Sequence, residues 1–190
     1  MPTTWYEHGM SLSKYEEAMD AYSILMHEAK QRLLAMDTAL GGQTGLPKVA
    51  VREYCFLQLR MLCELIALGC LTAHGDLVTG KLKGAYQADV IIRRLQLLHS
   101  KFYPHAATDV FTKEELMKLY RKCGDVLHRG AFQTLWSRDR YADADIEDIR
   151  IWKQKIEALL SDHTIFMADG ITEAQFRLRE IQVGTDDPGE

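Results

Sequence analysis

The stretch Tyr54-Cys-Phe-Leu-Gln-Leu-Arg-Met-Leu-Cys-Glu-Leu-Ile-Ala-Leu-Gly-Cys-Leu71 decides how this chain folds. It is apolar on nearly every side, interrupted only near its middle by Gln58, Arg60 and Glu64. A bilayer span needs about 20 predominantly apolar residues, and ionisable groups within one are expensive. The same composition suits the central helix of a bundle, buried on most sides. Pro47 fits the first turn of that helix, which is expected to run to about His74-Gly75. Arg60 and Glu64 stand at i and i+4, so they can pair with each other or with a group reaching in from a neighbouring helix.

Upstream, Ser13-Lys14-Tyr15-Glu16 reads as a capping box. Apolar residues then fall at Tyr15, Met19, Tyr22, Leu25, Met26, Ala29, Leu33, Met36 and Leu40. Steps of three and four predict an amphipathic first helix, ended by Gly41-Gly42. Downstream, a third helix is expected from Lys83 to Leu98 with Tyr86, Val90, Ile91, Leu95 and Leu98 inward. Thr112-Lys-Glu-Glu115 is a second capping box and opens a fourth helix through Leu116, Leu119, Tyr120 and Cys123, with Gly130 as its stop. A charged loop from Ser137 to Asp143 leads to a fifth helix from about Asp145 to Leu160, with Ile149, Trp152, Ile156 and Leu159 inward.

The last segment changes period. Thr164-Ile-Phe-Met, the turn-like Ala-Asp-Gly, and then Ala174, Phe176 and Leu178 alternating with Gln175, Arg177 and Arg179 predict a short β-hairpin. No internal repeat or low-complexity linker divides the chain. The expected organisation is mostly α-helical: a five-helix bundle over residues 1–163, a β-hairpin over 164–183 belonging to the same domain, and a disordered tail over 184–190.

With 190 residues the chain can bury a core without disulfides or metals. A hydrophobic share of 47% with 26% charged residues excludes a wholly disordered chain. The net charge of −4 gives no protein-wide positive field to attract nucleic acid or an anionic membrane. Contact with RNA would need a local patch, such as Lys113, Lys118, Arg121, Lys122 and Arg129, which Glu114, Glu115 and Asp125 dilute. Cys55, Cys63 and Cys70 lie about 10 Å or more apart along one helix, too far to bridge and unlike any zinc spacing, so they read as reduced core thiols. The opening Met-Pro-Thr-Thr-Trp-Tyr-Glu-His-Gly carries neither a basic nor an apolar leader region. A cytoplasmic protein without membrane attachment is expected.

Gly75-Asp-Leu-Val-Thr-Gly80-Lys81 fits the first positions of a phosphate-binding loop. Leu82, however, stands where a Ser or Thr should hold magnesium, and a helix precedes the segment where the motif needs a strand. It reads as a connector between helices. The histidines show no H-E-x-x-H or other metal spacing, and no Gly-x-Ser-x-Gly elbow occurs. No metal or cofactor is expected.

What remains is Arg121-Lys-Cys-Gly-Asp-Val-Leu-His128. Seven residues are nearly two helical turns, so both ends would project from one face, about 10 Å apart along the axis. Such a pair could grip a phosphate. Cleaving RNA without a metal needs a base for the 2′-hydroxyl proton, an acid for the leaving oxygen, and a cation beside the crowded phosphate. An unperturbed histidine titrates near neutrality, and an arginine supplies a permanent, forked charge. The competing structural account has His128 donating to a backbone carbonyl or to Glu64 while Arg121 lies at the surface.

A helical chain with an Arg and a His separated by four to six residues, late in the sequence, resembles the HEPN superfamily. These all-α proteins include many metal-independent ribonucleases of toxin–antitoxin and phage-defence systems. Arg121 and His128 fit the long end of that spacing. Arg60-x-x-x-Glu64 on a long apolar helix, and Tyr120 ahead of Gly-Asp-Val-Leu-His128, are similar to bacterial HEPN-like proteins, and the likeness in architecture spans roughly residues 12 to 160.

The resemblance implies a five-helix bundle of HEPN-like type and a homodimer whose two Arg/His motifs face each other across a cleft. It implies His128 as general acid/base and Arg121 as the group that binds the scissile phosphate. Glu64, Arg60, Tyr120 and Asp125 would be supporting groups, and Lys122 or Arg129 would guide the RNA backbone. A cognate antitoxin or a defence-complex protein is the partner it suggests. Active members usually carry Asn, Asp or His directly after the arginine, where this chain has Lys122, and inactive members serve as substrate-binding or dimerisation modules. The alternative expectation is therefore a non-catalytic helical interaction protein with the motif buried at its interface.

Overall fold

The computed structural model describes residues 12–75, 82, 84–106, 110–128 and 144–177. Among these lie helices α1 (Leu12–Leu40), α2 (Lys48–Ala73), α3 (Ala88–Leu98), α4 (Lys113–Leu127) and α5 (Ala144–Ser161). Strands β1 (Asp162–Phe166) and β2 (Glu173–Arg177) follow as an antiparallel hairpin. The fold is mostly α-helical, a five-helix bundle with a small C-terminal hairpin, as the pattern of the sequence predicts.

The apolar stretch forms α2, and α2 touches α1, α3, α4, α5 and β1. Its Phe56, Leu59, Leu62 and Ile66 are buried, together with Cys55, Cys63 and Cys70. Each large apolar side chain so buried contributes about 2 kcal/mol. Among the described residues, α2 alone is long and apolar enough to cross a bilayer; here the neighbouring elements take up most of that apolar surface. All four cysteines, Cys123 of α4 included, are free thiols.

α1 lays Tyr22, Met26, Ala29, Leu33 and Met36 into the core, the stripe expected from its spacing. It approaches α2 at Gly69, where an added Cβ would stand 2.9 Å from Tyr22 Cε2 and 3.1 Å from Met26 Cε. The missing side chain is what lets the two helices close. Arg32 Nη1 donates to the buried Gln58 Oε1 at 3.0 Å, which satisfies a polar group on the inner side of α2. Arg52 joins α2 to α5 through Asp145 at 2.6 Å.

Several boundaries differ from expectation. Ser13 already lies inside α1, so Ser13 to Glu16 is not the helix start; a capping serine precedes the first helical residue. α3 begins at Ala88 rather than Lys83, with Gln87 extended. It buries Ala88, Ile91, Ile92 and Leu95, whereas Tyr86 (67%), Val90 (43%) and Leu98 (43%) are exposed. Tyr86 precedes the shorter helix, Leu98 is its last residue, and Val90 shares its face with Arg93, Arg94 and Leu97, so the two arginines keep that face in water. Leu127 is the last residue of α4, short of the expected stop at Gly130, which lies outside the described residues.

α5 packs Ile149, Ile156 and Leu159 inward, and Trp152 is half-buried with its ring edge-on to Phe111. β1 follows α5 directly at Asp162, ahead of the expected Thr164. His163 pairs with Phe176 in the hairpin register, and the Phe176 ring lies 4.4 Å from that of Tyr22, which docks the hairpin on α1. The segment after α3 adds a bridge between His105 and Thr164. Leu178, Arg179 and the tail lie outside the described residues, as does the connector 76–81.

Candidate functional site

Thr112 starts α4 with a complete capping box: its hydroxyl accepts from Glu115 N at 3.3 Å, and Glu115 Oε2 accepts from Thr112 N at 3.0 Å. From there the helix turns Leu116, Leu119, Tyr120 and Cys123 into the core. At 100° per residue Arg121, Gly124 and His128 then fall in one row on the outer flank. Arg121 and His128 are exposed and Gly124 is half-buried. Arg121 Nε donates to the Met117 carbonyl at 3.2 Å, one turn back. His128 is the C-cap of α4, with φ −80° and ψ 134°, and its N–H donates to the Gly124 carbonyl at 2.9 Å. The imidazole is therefore carried at the very end of the helix.

Tyr120, directly before Arg121, ties α4 to α2. Its hydroxyl donates to Glu64 Oε1 at 3.0 Å and accepts from Arg60 Nη2 at 2.8 Å. Arg60 Nε also reaches Glu64 Oε1 at 3.4 Å, and the guanidinium carbon stacks 4.3 Å from the centre of the Tyr120 ring. Burial, then the hydrogen bond and the charge of Glu64, push the Tyr120 phenol up to about 12, against the pull of Arg60. It keeps its proton at neutral pH and acts as a strut rather than a base. Burial likewise pushes the Cys123 thiol up to about 12, with Arg60 and Lys122 pulling the other way. A neutral thiol inside the motif is no nucleophile.

The other residues singled out by sequence fall in different places. Lys122 sits on the opposite flank from His128 and pairs with Asp148 of α5 at 2.5 Å, beside the ring of Phe56. Asp125 is exposed on α4, one turn after Arg121. Arg129 lies outside the described residues. Glu64, which could have accepted from His128, is engaged by Tyr120 and Arg60 instead. Sequence reasoning passed over Asp89 of α3, which raises the Tyr120 phenol by its charge and pairs with Arg93 at 3.6 Å; the i and i+4 spacing of Asp89 and Arg93 was the available signal. In the fold, a Cβ at Gly124 would stand 3.3 Å from Arg60 Nη1.

Two of the cavities among the described residues lie elsewhere. One of about 380 Å³ is lined by Leu40, Leu46, Val51, Ile146 and Arg150. The other, of about 410 Å³, adjoins Tyr103, His105, Phe111 and Lys113. Neither includes Arg121 or His128. Among the described residues no group of three or more His, Cys, Asp or Glu side chains is placed to hold a metal ion. No protein-family model, no curated protein and no solved structure matches this chain.

Proposed function

We propose that the protein is a metal-independent endoribonuclease of HEPN type, working as a cytoplasmic homodimer. Arg121 binds the scissile phosphate and neutralises the charge that builds on it. His128 moves the proton between the 2′-hydroxyl and the leaving oxygen. Tyr120, Glu64 and Arg60 hold α4 against α2 so that the row keeps its direction. A cognate antitoxin or defence protein would restrain the activity.

The observation that carries this reading is the solvent access of Arg121 and His128 in one row of α4. Burial of both among partners of the same chain would have left no room for a phosphodiester. The test incubates purified protein with mixed RNA in EDTA, beside His128→Ala and Arg121→Ala. Cleavage that survives EDTA and drops by at least about a hundredfold in each variant is the expected result. Equal traces for all three proteins would sink the reading.

A second reading, a non-catalytic interaction module, draws on the outer side of α2. There Leu57 is 44% exposed and Met61 and Leu68 are half-buried, beside Arg60 and Glu64. A protein that dimerises through this side yet leaves RNA intact would be such a module.

A further inference from the structure

We propose that Arg60 is itself a phosphate-binding residue, reaching the Arg121/His128 row through the gap that Gly124 leaves in α4. The three side chains then form one subsite for the oxygens of a phosphodiester. This rests on the ribonuclease reading and adds to it a third group, supplied by a different helix.

The guanidinium of Arg60 is held on two sides. Nη2 donates to the Tyr120 hydroxyl at 2.8 Å, Nε faces Glu64 Oε1 at 3.4 Å, and the plane lies over the Tyr120 ring. The third nitrogen, Nη1, has no hydrogen-bond partner among the described residues. It lies 3.3 Å from the position a Cβ would take at Gly124, and 27% of the Arg60 side chain remains exposed. An arginine so fixed has already lost the side-chain freedom that binding an anion would otherwise cost.

Gly124 stands three residues after Arg121 and four before His128, about 4.5 and 6 Å along the axis. The free Nη1 is thus delivered between the two ends of the motif. Any larger residue at 124 would wedge carbon between Nη1 and the row. Glycine is among the poorest residues for a helix interior, so its placement here fits a need for close approach rather than for helix stability. The row also ends at the negative pole of α4, where Arg121 alone is a weak anchor for an anion. Of the nearby charges, Glu64 occupies the Nε side of Arg60, Asp89 is paired with Arg93, Lys122 is turned to Asp148, and Asp125 is exposed about 100° round the helix from Gly124. Arg60 Nη1 is the donor left to face a phosphate.

The probe is a short single-stranded RNA with 2′-O-methyl riboses, which the 2′-hydroxyl route cannot cleave, followed by fluorescence anisotropy. The unmodified RNA, in EDTA, reports cleavage in parallel. Gly124→Ala and Arg60→Gln are compared with wild type, and thermal unfolding is recorded for each. Both variants are expected to bind roughly tenfold more weakly, and Gly124→Ala to melt at or above the wild-type temperature, so its loss cannot be ascribed to unfolding. Wild-type affinity in either variant overturns the proposal and leaves the ribonuclease reading to stand on cleavage by wild type. Weakened binding in both with no cleavage by wild type supports the subsite and removes the ribonuclease. A wild type that neither binds nor cleaves overturns both.

Discussion

His74, at the end of α2, is 0% exposed, and one neighbour sets its tautomer. Its Nδ1 lies 2.9 Å from the Cys70 carbonyl, which can only accept, so Nδ1 carries the proton. Nε2 is buried without a hydrogen-bond partner among the described residues, with the His99 ring centred 4.9 Å away. Burial holds the imidazole below its ordinary value of 6.5, with His99 adding to the fall and the Cys70 carbonyl opposing it. His163, 2.7 Å from the Tyr22 hydroxyl, is lowered chiefly by burial as well, against the Leu160 carbonyl and Asp162. A folded-state pKa below the unfolded one means that the unfolded chain takes up protons first as pH falls. The stability these neutral histidines support is complete above about 6.5 and lost progressively below it. The urea midpoint should therefore fall between pH 7 and pH 5, and less steeply in His74→Gln. Asp169 and Glu115, both lowered, act further down, below their ordinary values of 3.8 and 4.5. A midpoint that stays flat from pH 7 to 5 would refute the assignment of neutral buried imidazoles.

α4 shows what a helix can reveal in sequence and what it cannot. Its start is a local event among four consecutive residues, and the Thr112 to Glu115 box forms as read. Glu115 also pairs with Lys155 of α5, so the cap helps to hold two helices together. Thr112→Ala should lower stability by about 1 kcal/mol, seen as a lower urea midpoint at unchanged slope, while Thr112→Ser should recover most of it. An unchanged midpoint in Thr112→Ala would mean that solvent satisfies the first turn equally well. The apolar row of α1 was legible for a similar reason, since one face carries nearly all its large apolar residues. α3 was not: Val90 and Leu98 compete with Ile91, Ile92 and Leu95, and only the packing against α2 decides between faces. At the site, the row of Arg121 and His128 could be read from spacing alone, as could the pairing of Arg60 with Glu64. The bridge from Tyr120 to both, the turn of Lys122 toward Asp148 and the approach of Arg60 to Gly124 depend on how α2, α4 and α5 cross, and no local pattern encodes that.

At the scale of the whole molecule, the net charge of −4 limits how the proposed RNA substrate could be held. No general positive field draws it in, so attraction must come from a few groups that meet phosphates directly. In the proposed subsite Arg121, Arg60 and His128 would be such groups, whereas Lys122 spends its charge on Asp148. Each phosphate neutralised on a single strand releases counterions, contributing about −0.7 to the slope of log affinity against log salt. Three groups converging on one phosphodiester neutralise one phosphate, which gives a slope of about −0.7, shallow for a nucleic-acid-binding protein. Anisotropy with the uncleavable RNA, from about 50 to 200 mM KCl, measures it. Arg60→Gln should weaken binding at every salt concentration while the slope stays no steeper than about −0.7, and Lys122→Ala should leave both unchanged because that lysine already has its partner. A slope near −5 or steeper would mean that RNA lies across a broader basic surface than this side of α4 provides, and the three-residue subsite would then be too small to account for binding.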